Sequence, residues 1–182
     1  MAAILTFMNL LSDANKWLFL LINAETDDPR YGIFAAILIA EYLVAVMLLV
    51  LAVYLVFKHR HNKQVYIGVI ASILIGILIT YLMRKGIHHP RPFSLNIGTN
   101  FLEHSRSSSF PSKHQTPVFA AGVFLCLLPQ TRKFGLIFLG FSFAVAWSRI
   151  YLGVHWPIDM LGALMVGLTA SLLVKYTSQY LI

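Results

Sequence analysis

Charge is scarce in this chain. Only 12% of its 182 residues are Asp, Glu, Lys or Arg, against about 25% in a soluble domain. With 58% hydrophobic residues and a mean hydropathy of +0.75, an ordinary water-soluble domain is excluded. Cysteine is almost missing. The single Cys126 lies inside an apolar run, which excludes a disulfide framework and a Cys-based metal site and leaves a small packing residue. Acidic side chains are half as numerous as basic ones, 7 against 14, giving a net charge of +7. That excess does not point to nucleic acid, because the basic residues are divided among short loops and form no continuous face. Met1-Ala2-Ala3 lacks the basic start of a cleavable leader, so none is expected. No repeat or low-complexity tract interrupts the pattern.

What the chain does have is apolar runs of about the 20 residues a bilayer requires. Five spans are predicted, at 33–57, 64–83, 114–129, 134–150 and 157–178. Residues 1–24 are broken by Asn9, Ser12, Asp13, Asn15 and Lys16, and suit a helix lying at the interface better than one that crosses. The expectation is an all-α integral membrane protein in one domain, a bundle of five to six transmembrane helices with a helical core over 33–178. The basic connections Lys58-His59-Arg60-His61-Asn62-Lys63 and Gln130-Thr131-Arg132-Lys133 fall at one end, with Lys175, and should face the cytoplasm. The connections at 84–113 and 149–156 then share the opposite, extracytoplasmic end. The first is long, and long ordered loops are usually functional.

Three polar clusters meet at that end. In Ser148-Arg149-Ile150-Tyr151-Leu152-Gly153-Val154-His155-Trp156-Pro157-Ile158-Asp159, Pro157 suits the first turn of a helix. The four-residue spacing then puts the Asp159 carboxylate within reach of the His155 ring. Arg84-Lys85-Gly86-Ile87-His88-His89-Pro90-Arg91-Pro92 leaves the second span. Ser109-Phe110-Pro111-Ser112-Lys113-His114 enters the third, where Pro111 predicts a helix start with free N–H groups near Ser112, Lys113 and His114. Such an end binds phosphate, and Arg84, Arg91 and Arg149 could supply planar, charge-assisted donors to its oxygens.

These blocks resemble the type 2 phosphatidic acid phosphatase family, whose pattern is K-x6-R-P, then P-S-x-H, then S-R-x5-H-x3-D. The third block matches throughout and the second at Pro111, Ser112 and His114, with Lys113 where the family has glycine. The first matches at Arg91-Pro92, with Arg84 in the lysine position. The resemblance implies a metal-independent phosphatase that needs no cofactor. His155 would attack phosphorus, Asp159 would hold its tautomer, and His114 would protonate the leaving oxygen and later activate water. Arg84, Arg91, Ser112, Lys113 and Arg149 would bind the phosphoryl oxygens. Pro90-Arg91-Pro92-Phe93, Glu103-His104, Asn23 and Ala40-Glu41-Tyr42 are similar to bacitracin-resistance-type undecaprenyl-diphosphate phosphatases, which implies a lipid diphosphate substrate. Glu103 is then expected to orient a site residue or the headgroup.

Blander readings stand beside these. Asp159 could simply serve the helix dipole. Lys85 reads as a snorkelling residue, His59 and His61 as solvated loop residues, and Trp147, Trp156 and the tyrosines as interface anchors and packing. His88 and His89 lack companions at metal-ligand spacing and suit loop or substrate contacts. Glu41, within a span, is either functional or paired with a site arginine. Competing functions are transfer of phosphate to lipid A, dephosphorylation of lipid A or phosphatidylglycerophosphate, and, in another class, transport. The sequence names no protein partner.

Overall fold

The computed structural model describes residues 2–181, and the side chains of residue 6 and of residues 9–177. Helices account for the fold: α1 (Ala2–Ile22), α2 (Arg30–Leu38), a π-helical turn (Ile39–Leu43), α3 (Val44–His59), α4 (Lys63–Gly86), α5 (Gln115–Leu127), α6 (Arg132–Tyr151) and α7 (Pro157–Leu181). A short 3₁₀ turn, Pro92–Leu95, lies in the long connection. Arg30–His59 runs through the π turn as one helix, so the five predicted spans each coincide with a helix, with ends shifted by a few residues.

Among the described residues, four helices are long and apolar enough to cross a membrane: Arg30–His59, Lys63–Gly86, Arg132–Tyr151 and Pro157–Thr177. α5 is shorter, and nearly all of it is buried among α4, α6 and α7. Its 13 residues reach about 20 Å, less than the ~30 Å of a bilayer interior. The connection 87–114 leads into its N-terminus, beside which Arg91, Ser112, His155 and Asp159 are buried.

Close helix packing follows from small residues. A Cβ on Gly68 would meet the Phe124 ring at 2.1 Å, and one on Gly167 the Ala120 nitrogen at 2.8 Å. Thr80 Oγ1 donates to Thr116 Oγ1 (3.0 Å), and Ser171 Oγ lies 2.8 Å from Ala120 O, so hydroxyls tie α5 to α4 and α7 inside the bundle. The main core, with Met47, Leu51, Val65, Val69, Phe124, Leu125 and Phe138, occupies the end remote from the site. There Thr131 Oγ1 donates to Leu125 O and Lys175 Nζ to Leu127 O. His59 departs from expectation: it is buried and shares a hydrogen bond with Tyr54 Oη (3.1 Å), because the last turn of α3 folds it inward.

The second half of α1 is fastened to the site end. Asn15 Oδ1 accepts the Ile158 N–H, Phe19 packs on Trp156 with ring centroids 4.9 Å apart, and Asn23 Nδ2 donates to Thr99 O and Tyr151 O. Thr99 and Trp156 lie in the connections, and Tyr151 and Ile158 at the helix ends beside them. α1 is not among the four spans.

Candidate active site

Asp159 is the hub. It stands at the third position of α7, where its carboxylate reaches back to the Trp156 N–H (Oδ2, 2.9 Å) and caps the helix. The same Oδ2 accepts His155 Nδ1 at 3.0 Å. Both residues are fully buried. The helix-cap and catalytic readings are thus not alternatives, since one carboxylate does both. Its other oxygen lies 3.1 Å from Ser109 Oγ and 3.3 Å from His89 Nδ1.

The tautomer of His155 follows from its partners. Arg91 can only donate, and its Nη1 lies 3.1 Å from His155 Nε2. Nε2 is therefore the bare nitrogen and Nδ1 carries the proton. A lone pair on Nε2, aimed among arginines, is what a nucleophile for phosphorus needs.

Arg91 is fully buried and folds the first block onto the third: Nη1 donates to Val154 O (2.7 Å) and Nε to Ser107 O (3.2 Å). Trp156 Nε1 adds a bond to Pro90 O at 2.8 Å, so Trp156 is a buried strut and not an interface anchor. Arg84 donates to Pro111 O and Ser107 Oγ. Arg149 Nη2 donates to Ala40 O (3.0 Å), a carbonyl within the π turn. Glu41, next to it, is exposed and has no ion pair within 4 Å among the described residues. Lys85 is exposed over the Tyr81 ring, in keeping with snorkelling.

The start of α5 differs from the Pro111 expectation. The helix begins at Gln115, because Ser112 O accepts both Gln115 and Thr116 N–H groups. The Ser112 N–H is used by Asp159 O (3.3 Å), which leaves the N–H groups of Lys113 and His114 without protein acceptors. Ser112 Oγ lies 3.4 Å from His155 Nε2. Among the described residues, four more side-chain nitrogens are buried without a hydrogen-bond partner: Arg91 Nη2, Arg149 Nε, His104 Nδ1 and His114 Nδ1. Unmade hydrogen bonds of this kind cost about 1–3 kcal/mol each, and their concentration around one histidine marks an anion site.

The electrostatics agree. Burial holds the Arg91 guanidinium down to about 10, helped by Arg84 and opposed by Asp159. Burial, then Arg149 and Lys113, hold His114 down to about 3. His155 is lowered by burial, against the pull of Asp159 and with the push of Arg91 and Arg149. A crowd of buried cations beside neutral histidines is stable only with an anion among them.

Of the residues predicted from sequence, His155, Asp159, Arg91, Ser112, His114 and Arg149 surround this point, with Arg84 and Lys113 at its rim. Glu103 does not join them: it is exposed in the long connection and makes no hydrogen bond among the described residues. Sequence reasoning missed the carboxylate contacts of His89 and Ser109. Their signal was faint, two polar residues flanking Arg91-Pro92 and Pro111-Ser112, brought together only because Ser109 N–H donates to His89 O.

Comparison with known proteins shows the family. The model of the PAP2 superfamily matches residues 66–182. An Escherichia coli K12 protein provisionally named undecaprenyl-diphosphatase YbjG is 38% identical over 164 residues, covering 90% of this chain and 82% of that protein. Undecaprenyl-diphosphatase BcrC of Bacillus subtilis is 34% identical, covering 72% and 67%. In structure, a transmembrane PAP2-type phosphatidylglycerolphosphate phosphatase of B. subtilis superposes with a TM-score of 0.72 at 20% identity, over 96% of this chain and 89% of that one.

Proposed function

Since the chain belongs to the PAP2 superfamily, we propose that it is a membrane phosphatase that removes the terminal phosphate of undecaprenyl diphosphate through a phosphohistidine. The observation that carries the reading is the buried Asp159–His155 pair with a bare Nε2 facing unpaired arginine N–H groups. The relatives named undecaprenyl-diphosphatase support the substrate.

In the first step His155 Nε2 forms a bond to the terminal phosphorus as the bridging P–O bond breaks, and undecaprenyl phosphate leaves with a proton from His114. Asp159 stabilises the imidazolium. In the second step His114 takes a proton from water, whose oxygen attacks phosphorus. The P–N bond breaks, and orthophosphate and free His155 result. His114 must be protonated for the first step, and the incoming diphosphate opposes the burial and the cationic field that otherwise keep it neutral. Arg84, Arg91, Arg149, Ser112 Oγ and the Lys113 N–H hold the phosphoryl oxygens as charge develops. These cations would supply the charge compensation that a metal could offer, so turnover is proposed to need none. A cleft of about 310 Å³, lined by Ile77, Thr80, Tyr81, Arg84, Lys85 and Lys113, opens beside the site. Its apolar wall on α4 suits a prenyl tail that stays in lipid.

Detergent-purified protein should release phosphate from undecaprenyl diphosphate in EDTA and lose release in His155→Ala. Normal rates in that variant would sink the mechanism, and a requirement for added divalent metal would sink the metal-free step. The site is proposed to face outwards from the bacterial cytoplasmic membrane. A cysteine at exposed position 105 should then react with an impermeant thiol reagent on intact spheroplasts. Reaction only after lysis would invert the topology.

A further inference from the structure

His104 belongs to none of the three blocks, and the mechanism above leaves it unused. Its ring nevertheless stands beside both working histidines, with centroids 5.9 Å from His114 and 6.1 Å from His155 and edge-on to both. Its Nδ1 is shut off from solvent and makes no well-formed hydrogen bond among the described residues, although the Ser105 backbone lies close enough to favour the charged ring. Packing alone would be served by a phenyl ring without that cost.

The transferred phosphoryl group has three non-bridging oxygens. Arg91 Nη2, Arg149 Nε, Ser112 Oγ and the free N–H groups of Lys113 and His114 already supply them with donors. A diphosphate brings a second phosphoryl group on the leaving-oxygen side, where His114 sits, and the three blocks leave little to hold it. Resting on the function proposed above, we infer that His104 is a substrate-binding residue that donates a hydrogen bond to the second, non-transferred phosphate, and so favours a lipid diphosphate over a lipid monophosphate. Burial, then Arg91 and Arg149, hold the His104 ring down to about 4. The neutral ring offers one N–H and adds no positive charge beside His114.

The test compares His104→Phe, which keeps an aromatic ring, and His104→Asn, which keeps a donor, with wild type. Each is assayed for kcat/KM on undecaprenyl diphosphate and on phosphatidic acid, and for inhibition by inorganic pyrophosphate and by orthophosphate. His104→Phe should lose about 10- to 100-fold on the diphosphate, the range for a hydrogen bond to a charged group. It should stay within about 3-fold on the monophosphate, with pyrophosphate inhibition weakened and orthophosphate inhibition unchanged. His104→Asn should recover part of the loss. Equal losses on both lipids, or no loss on either, would overturn the inference, as would unchanged pyrophosphate inhibition. A wild type inactive on the diphosphate would instead overturn the function proposed above.

Discussion

One carboxylate at position 159 caps a helix, fixes a tautomer and gathers a loop. Its spacing from His155 could be read in the sequence because both lie at one helix start, where local geometry decides what touches. The contacts from His89 and Ser109 could not, since they arise from a connection folding back across 70 and 50 residues of chain. The same holds for His104. Three neutral histidines packed among arginines also predict how the fold responds to acid. His104 and His114 are held near 4 and 3 and His155 is lowered, all from the ordinary 6.5. Between about pH 6.5 and those values the unfolded chain binds more protons than the native one, so the stability these groups provide is complete above 6.5 and is lost as pH falls. The melting temperature in detergent should therefore drop from pH 7.5 to 5, and His114→Gln should flatten that drop. A melting temperature that is level or rises towards pH 5 in the wild type contradicts the assignment.

Among the elements, the α6–α7 connection is the most constrained. Gly153 has φ +81°, and a Cβ there would meet Thr99 O at 2.1 Å, so the turn that presents His155 depends on a glycine. Gly153→Ala should cost at least the ~1–3 kcal/mol of a strained backbone, read as a lower melting temperature, with phosphate release falling alongside. A variant as stable and active as wild type would show that the turn relaxes freely. Apolar run length alone located every span, because a bilayer leaves helices few other choices. It missed the π turn at Ile39–Leu43, whose Ala40 carbonyl receives Arg149, since a single wider turn leaves no mark on hydropathy. It put the start of α5 within a residue, whereas the Pro111 reading put it too early: Pro111 permits a first turn, but Ser112 supplies the turn that actually opens the helix.

At the scale of the whole molecule, the two ends of the bundle are chemically distinct. One carries the packed core and the basic connections, and the other a buried cationic site beside the connection 87–114. In the function proposed above, the lipid keeps its tail beside α4 while its headgroup enters among Arg84, Arg91 and Arg149. Everything then depends on His155 taking the phosphate. The direct test is rapid acid-free quenching of wild type with undecaprenyl diphosphate labelled in its terminal phosphate, followed by locating the label in the chain. An acid-labile, base-stable phosphate on His155, absent in His155→Ala, is the predicted result. An active wild type that never carries label, or label that persists in the variant, would contradict it.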